Sequence, residues 1–335
     1  MKEVYENARK MMKGFCRVCP VCDGRACVGE VPGMGGLGTA SSFHANIQAL
    51  ARHRFAMRLI HDVVEPALTT NFFGTNLSLP VLAAPIGGVS FNMGGGISED
   101  AYIESVLNGC LSKGTLGCTG DGVPAFIHET GFSTIQKLGG KGIPFIKPWD
   151  EKELFEKIAK AQQAGATIVG MDIDAAGLVT LRKMGRPVGP KTVAELEKVR
   201  QAILGKFILK GIMTEDDARR AVDAGVDGIV VSNHGGRVLD YSPGTAEVLP
   251  RIAQAVAGKL MILVDGGVRS GADVLKMLAL GAQVVLIGRP FSVAAVGGLQ
   301  QGVESYLDKI RVELQQYMVL TGTPSVQKVN PQILC

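Results

Sequence analysis

Charged and polar residues stand at the ends of short apolar runs along residues 143–289. They are Lys147 and Trp149, then Asp172 and Asp174, then Lys210. Ser232, Asn233, His234 and Arg237 follow, then Asp265, Gly266, Gly267 and Arg269, and last Gly288 and Arg289. A charge at the end of a buried apolar strand needs a partner or a polar ligand. One such Asp or Lys reads well as half of an ion pair, but the whole set does not if the runs converge on one rim. The segment DGGVRSG (265–271) sets two glycines ahead of a helix start, whose free N–H groups attract an anion, and GR (288–289) adds a second Arg. Together these predict a phosphate site. A separate concentration lies in CRVCPVCDGRAC, where Cys16, Cys19, Cys22 and Cys27 form a C-x2-C-x2-C-x4-C run. Four close thiolates suit a [4Fe–4S] cluster or a structural zinc, and without metal they are free or disulfide-forming thiols. Cys110, Cys118 and Cys335 read as packing or surface thiols, and His44, His53, His61 and His128 as structural or surface groups.

The elements that must position these residues recur from residue 79 onward. Eight apolar runs have strand length: 79–85, 115–120, 143–148, 167–174, 207–212, 228–235, 260–267 and 282–290. Runs that are apolar throughout suit parallel strands buried on both faces, and helical stretches between them imply βαβ units. Asp150 with Glu153, Thr214 with Asp217 and Ser270 with Asp273 have capping-box spacing. Gly165, Gly225 and Gly281 in AQQAGATIV, AVDAGVDGIV and LALGAQVVL stand where a left-handed residue ends a helix. Eight repeats of one unit predict a closed TIM (β/α)8 barrel, with an open doubly wound sheet as the alternative. The expected layout is an N-terminal cap with the Cys cluster over 1–78, the barrel over 79–325 and a tail over 326–335. One long helical pattern is expected within the cap, over 42–60.

Composition narrows the class. The 335 residues are 46% hydrophobic and 20% charged, with net charge +4 and no long basic run, so no polyanion-binding surface is indicated. Gly is abundant, 44 residues, against a usual share of about 7%. No apolar stretch reaches the roughly 18 residues of a membrane span, and the N-terminus lacks a signal-like apolar core. The expectation is a cytoplasmic protein.

SNHGGRVLD (232–240), followed by DYSPGTAEVLP and DGGVRSGADVLKMLALGAQVVLIGRP, resembles the signature of the FMN-dependent 2-hydroxy acid oxidases and dehydrogenases, which include glycolate oxidase and lactate oxidase. ILKGIMTEDDA (208–218) is similar to that family's fifth-strand segment. The resemblance runs over about residues 77–325 and is strongest from 206 to 290. It implies an FMN cofactor on the barrel, and His234 as the base that takes the substrate's hydroxyl proton or its α-proton. It further implies Asp174 as the group that orients His234, Arg237 as the carboxylate anchor and Lys210 beside flavin N1 and O2. Ser232 would hydrogen-bond the flavin pyrimidine ring. Asp265, Gly266, Gly267, Arg269, Gly288 and Arg289 would hold ribityl and phosphate. The AAPIGG turn, with Ala84, Pro85 and Gly87, would lie against the isoalloxazine. Lys147 and Asp172 stand where the family commonly has Gln and Thr by the flavin. Trp149 occupies the place of a substrate-facing Tyr, and Arg182 matches the Arg of the loop after the fourth strand. The family's N-terminal Tyr has no counterpart here.

The function implied is oxidation of a small L-2-hydroxy acid to its 2-oxo acid. The electron acceptor is left open among oxygen, quinone and protein, and the assembly expected from the resemblance is a tetramer or octamer. Two rival readings stand beside it. One is an FMN barrel acting on another carboxylate or on a redox-neutral, isomerase-type substrate. The other is a non-catalytic metal- and FMN-binding assembly or sensor protein.

Overall fold

The computed structural model describes residues 1–186 and 188–335. All eight expected runs form strands: β1 (Val81–Ile86), β2 (Gly117–Thr119), β3 (Ile143–Ile146), β4 (Ile168–Asp172), β5 (Lys206–Ile212), β6 (Gly228–Val231), β7 (Met261–Val264) and β8 (Val284–Ile287). They close in sequence order into one parallel barrel, with Val81 of β1 in register with Val285 of β8. Side chains of alternating strand positions fill the interior, among them Leu82, Phe145, Ile208, Val230, Leu263 and Leu286. The opposite faces pack on the helices in a second apolar layer. Each strand is therefore apolar on both faces, which is why the runs show no polar alternation.

Helix ends follow the expected chemistry. Ser270 and Asp273 form a reciprocal capping box, while Asp150 and Thr214 each accept one first-turn N–H. Thr192 and Glu195 make a further box. Gly165, Gly225 and Gly281 all hold positive φ at the helix ends.

Two expectations in the N-terminal segment change. The helical pattern over 42–60 gives a helix only over Ser41–Arg52. Beyond it the chain pairs with the C-terminal tail: Cys335 N donates to Arg54 O at 2.8 Å and Ala56 N to Ile333 O at 2.8 Å. Tail pairing takes the backbone groups a longer helix would have used. A hairpin, Thr70–Phe72 with Thr75–Leu77, also went unforeseen. Its turn residues Phe73 and Gly74 both have positive φ, and Phe is a rare choice there. Phe72 and Leu77 join the interior cluster and so close the end of the barrel away from the site.

The N-terminal helix, Lys2–Met11, docks on the helix that follows β8. Gly297 makes the approach possible, because a Cβ there would lie 2.0 Å from Val4 O. From that anchor the cysteine segment crosses the rim formed by the strands' C-terminal ends.

Candidate active site

His234 follows β6 with a φ of +56°. Its N–H donates to Ser232 Oγ at 3.0 Å, and its ring Nδ1 lies 3.0 Å from Asp174 Oδ1. Asp174 stands in the turn after β4, and β5 bulges at Gly211 to make room for it. A Cβ on Gly211, whose φ is +110°, would meet Asp174 Cβ at 2.5 Å. Lys210 Nζ completes the group, 3.0 Å from Asp172 Oδ1, 3.5 Å from Asp174 Oδ2 and 3.4 Å from His234 Nδ1. Burial alone would lower the Lys210 pKa, but Asp172, Asp174 and Asp265 outweigh it and hold the ammonium charged. Burial would likewise raise Asp174, yet Lys210 and His234 hold it at about 2. Burial does raise Asp265, against the pull of Lys210. A His whose Nδ1 faces an ionised carboxylate keeps Nε2 for a ligand, the arrangement of a general base with its orienting group.

These groups face a cavity at the barrel rim. Its lining includes Ala84, Pro85, Gly87, Lys147, Asp172, Lys210, His234 and Arg237, then Asp265, Gly266, Gly267, Arg269, Gly288 and Arg289. The sequence-derived cofactor residues thus converge on one wall, apart from Ser232. Ser232 is fully buried, and its Oγ accepts the His234 backbone N–H while its O–H remains able to donate. Trp149 and Arg182 do not take the substrate-facing places expected of them. The Trp149 indole turns into the core, 2% exposed, and Arg182 lies exposed outside the cavity. In the neighbourhood of Arg182 the wall is made by Leu178, Leu181 and Met184.

The phosphate expectation is refined. The first turn of the helix Gly271–Ala279 is already satisfied. Asp273 accepts from Arg269 N and Ser270 N, and Glu313 from Gly271 N. The helix that starts at Arg289 has no side-chain cap, and its N-cap Gly288 lines the cavity. That helix offers the anion end, with Arg289 and Arg269 beside it. Two buried polar atoms on this wall, Asp265 Oδ1 and Arg269 Nε, have no hydrogen-bond partner among the described residues. Unpartnered buried groups of this kind fit a polar ligand such as a ribityl phosphate.

The cap supplies part of the site. Val31, Pro32 and Met34 line the cavity, and the Gly33 and Gly35 carbonyls accept from Arg237, which also donates to Asn92 Oδ1 at 3.0 Å. Arg289 donates to Met34 O, Gly35 O and Gly235 O and stacks 4.1 Å from the Phe43 ring centroid. Desolvation lowers Arg237 to about 10 and Arg289 to about 9, the latter helped by the neighbouring Arg237 and Arg269 charges.

Sequence reasoning missed Asn92 and Asp121. Asp121, after β2, accepts from Lys157 Nζ at 2.8 Å, Trp149 Nε1 at 2.6 Å and Lys147 N at 3.0 Å. It fixes the segment after β3, and so the aim of Lys147. An Asp immediately after the 115–120 run was the available signal.

Cys16, Cys19, Cys22 and Cys27 are free and half-buried. The structure brings them to the Arg269 side of the cavity, where Arg269 Nη2 lies 3.4 Å from Cys22 Sγ.

The chain matches the FMN-dependent dehydrogenase family model over residues 33–191 and 182–335. It is 30% identical to a peroxisomal (S)-2-hydroxyacid oxidase of Arabidopsis thaliana over 88% of each chain. Identity to a 4-hydroxymandelate oxidase of Amycolatopsis orientalis is 32%, over 87% of this chain and 89% of that one. A 140-residue stretch, 42% of this chain and 36% of the relative, is 51% identical to an L-lactate dehydrogenase of Xanthomonas campestris. The crystal structure of a mandelate oxidase superposes with a TM-score of 0.81 at 29% identity, covering 100% of this chain and 97% of the other.

Proposed function

The chain belongs to the FMN-dependent dehydrogenase family, and we propose that it oxidises a small L-2-hydroxy acid with an apolar side chain to the 2-oxo acid. The observation that carries this reading is the His234–Asp174 couple opening on a cavity that also holds Arg237 and the partnerless atoms of Asp265 and Arg269. FMN, when bound, supplies the two-electron acceptor for the substrate's α-carbon. Ala84 to Gly88, Lys147, Asp172 and Lys210 would hold its ring. Asp265, Gly266, Gly267, Arg269, Gly288 and Arg289 would hold ribityl and phosphate.

The protein's own work is to place the acid and move one proton. Arg237 anchors the carboxylate with its planar fork, turning from the Gly33 and Gly35 carbonyls toward the substrate. His234 Nε2 takes the proton, from the hydroxyl in a hydride route or from the α-carbon in a carbanion route. Asp174 stabilises the imidazolium that results. Phe91, Leu178, Leu181 and Met184 provide the apolar wall for the side chain. The test is His234→Gln with FMN content measured first. Loss of 2-oxo acid formation with FMN retained supports the role, and full turnover removes His234 from the chemistry.

One observation favours a second reading. Lys147 and Asp172 line the cavity where the family commonly has neutral residues, which suits a different carboxylate or a redox-neutral substrate. Product formation without net flavin reduction distinguishes it. We further propose that the chain works in the cytoplasm as a homo-oligomer, tetramer or octamer. Seven cysteines that are all free fit a reducing compartment. Cell fractionation and light scattering check these two points.

A further inference from the structure

The cysteine segment is unused by the chemistry above, and it precedes residue 33, where the family match begins. Its four thiols fall within residues 16–27 of one loop, all free and half-buried. The chain folds back twice to bring them together, at Val18 with φ +46° and at Gly24 with φ +89°. Val in the left-handed region is costly, so the surrounding structure must impose that bend. The first bend aims Val18 N–H at Cys16 Sγ, 3.4 Å away. At the second, a Cβ on Gly24 would run into the Phe43 ring at 2.6 Å. The helix Lys2–Met11 on one side and Phe43 on the other thus fix both ends of the loop. Cations face the thiols, with Arg269 Nη2 3.4 Å from Cys22 Sγ.

We propose that Cys16, Cys19, Cys22 and Cys27 ligate a [4Fe–4S] cluster on the Arg269 side of the flavin cavity. Four thiolates around such a cluster leave a net negative charge, which Arg269 and Arg289 offset at its inner edge. The leading Cys-x2-Cys-x2-Cys steps are those of ferredoxin-type cluster runs, and an electron carrier beside a flavin has a use that a structural zinc lacks, so zinc is the competing outcome of the test. The segment's outer edge carries two exposed apolar residues, Val21 and Val28, so one side of the centre is open to solvent. The inference holds whichever substrate the barrel oxidises.

The test uses the full chain loaded with FMN and reconstituted anaerobically with ferric iron, excess thiol reductant and sulfide, zinc being present in competition. The expected result is about four iron and four sulfide per chain, with an electron paramagnetic resonance signal on dithionite reduction. Cys19→Ser should lower bound iron and sulfide severalfold while FMN stays at one per chain. FMN content reads the barrel fold, and iron with sulfide reads the cluster, so the two fail separately. Should Cys19→Ser not fold, the spectrum of the reduced wild-type protein decides alone. One zinc per chain without sulfide overturns the proposal, as does FMN-replete protein that takes up no metal.

Discussion

Replacing Asp121 should unfold the protein more readily than any exposed substitution. Its side chain is fully buried, and Lys157 beside it is 6% exposed. Burial alone would raise the Asp121 pKa, but His128, Lys157 and Lys147 hold it well below the usual carboxylate range. Asp121→Ala removes the partner of Lys157 Nζ and strands three N–H donors, Trp149 Nε1, Lys147 N and Gly122 N. Breaking a buried ion pair costs about 3–5 kcal/mol. Lys157 keeps Glu153 at 3.1 Å, which favours the low end of that range, about 3 kcal/mol. Each stranded donor adds about 1 kcal/mol or more. The sum, on the order of 6 kcal/mol, is a large part of a typical 5–15 kcal/mol stability. Asp121→Asn keeps an acceptor for the indole and should lose about half as much. The assay is denaturant unfolding of FMN-loaded protein. A double-mutant cycle with Trp149→Phe isolates the indole contact. A loss below about 1 kcal/mol for Asp121→Ala would mean that the buried carboxylate does not hold these donors in place.

Other outcomes follow from the same geometry. Asp174→Asn should leave FMN bound but slow flavin reduction by roughly 10²–10⁴-fold, because the imidazolium loses its counter-charge; stopped-flow reduction measures this. Asp174 also links stability to pH. Its folded pKa of about 2 lies below the ordinary 3.8, so its stabilisation is present above 3.8 and disappears as pH falls from there through 2. That contribution is about 2 kcal/mol, and urea midpoints across the acid range should show it shrink in wild type but not in Asp174→Asn. Arg237→Lys should keep FMN yet raise KM by a few kcal/mol equivalent, since Lys lacks the two-pronged fork; steady-state kinetics on a 2-hydroxy acid check it.

The barrel was legible because burial on both faces makes each strand an uninterrupted apolar run, and because several helices open on a side-chain cap and end at a left-handed glycine. The proposed catalytic group was legible because His234, Asp174 and Lys210 stand at strand ends, where only a ligand or a partner justifies a charge. What the sequence hid was direction. Trp149 and Arg182 occupy site-like positions, but Asp121 draws the indole inward, and Leu178, Leu181 and Met184 form the wall near Arg182. The DGG glycines marked the right wall, yet Ser270 and Asp273 cap the nearby helix and leave the anion end to the next one. Asn92 touches Arg237 across 145 positions of sequence, a contact no local pattern carries.

The central claim is that His234, Arg237 and bound FMN together oxidise a 2-hydroxy acid. Anaerobic mixing of the FMN-loaded protein with L-lactate, glycolate and mandelate tests it most directly, with flavin absorbance and 2-oxo acid followed together. At least one acid should bleach the flavin with one equivalent of 2-oxo acid, and His234→Gln protein should stay yellow. Flavin that remains oxidised with every acid, or bleaching that survives in His234→Gln at the wild-type rate, would contradict it.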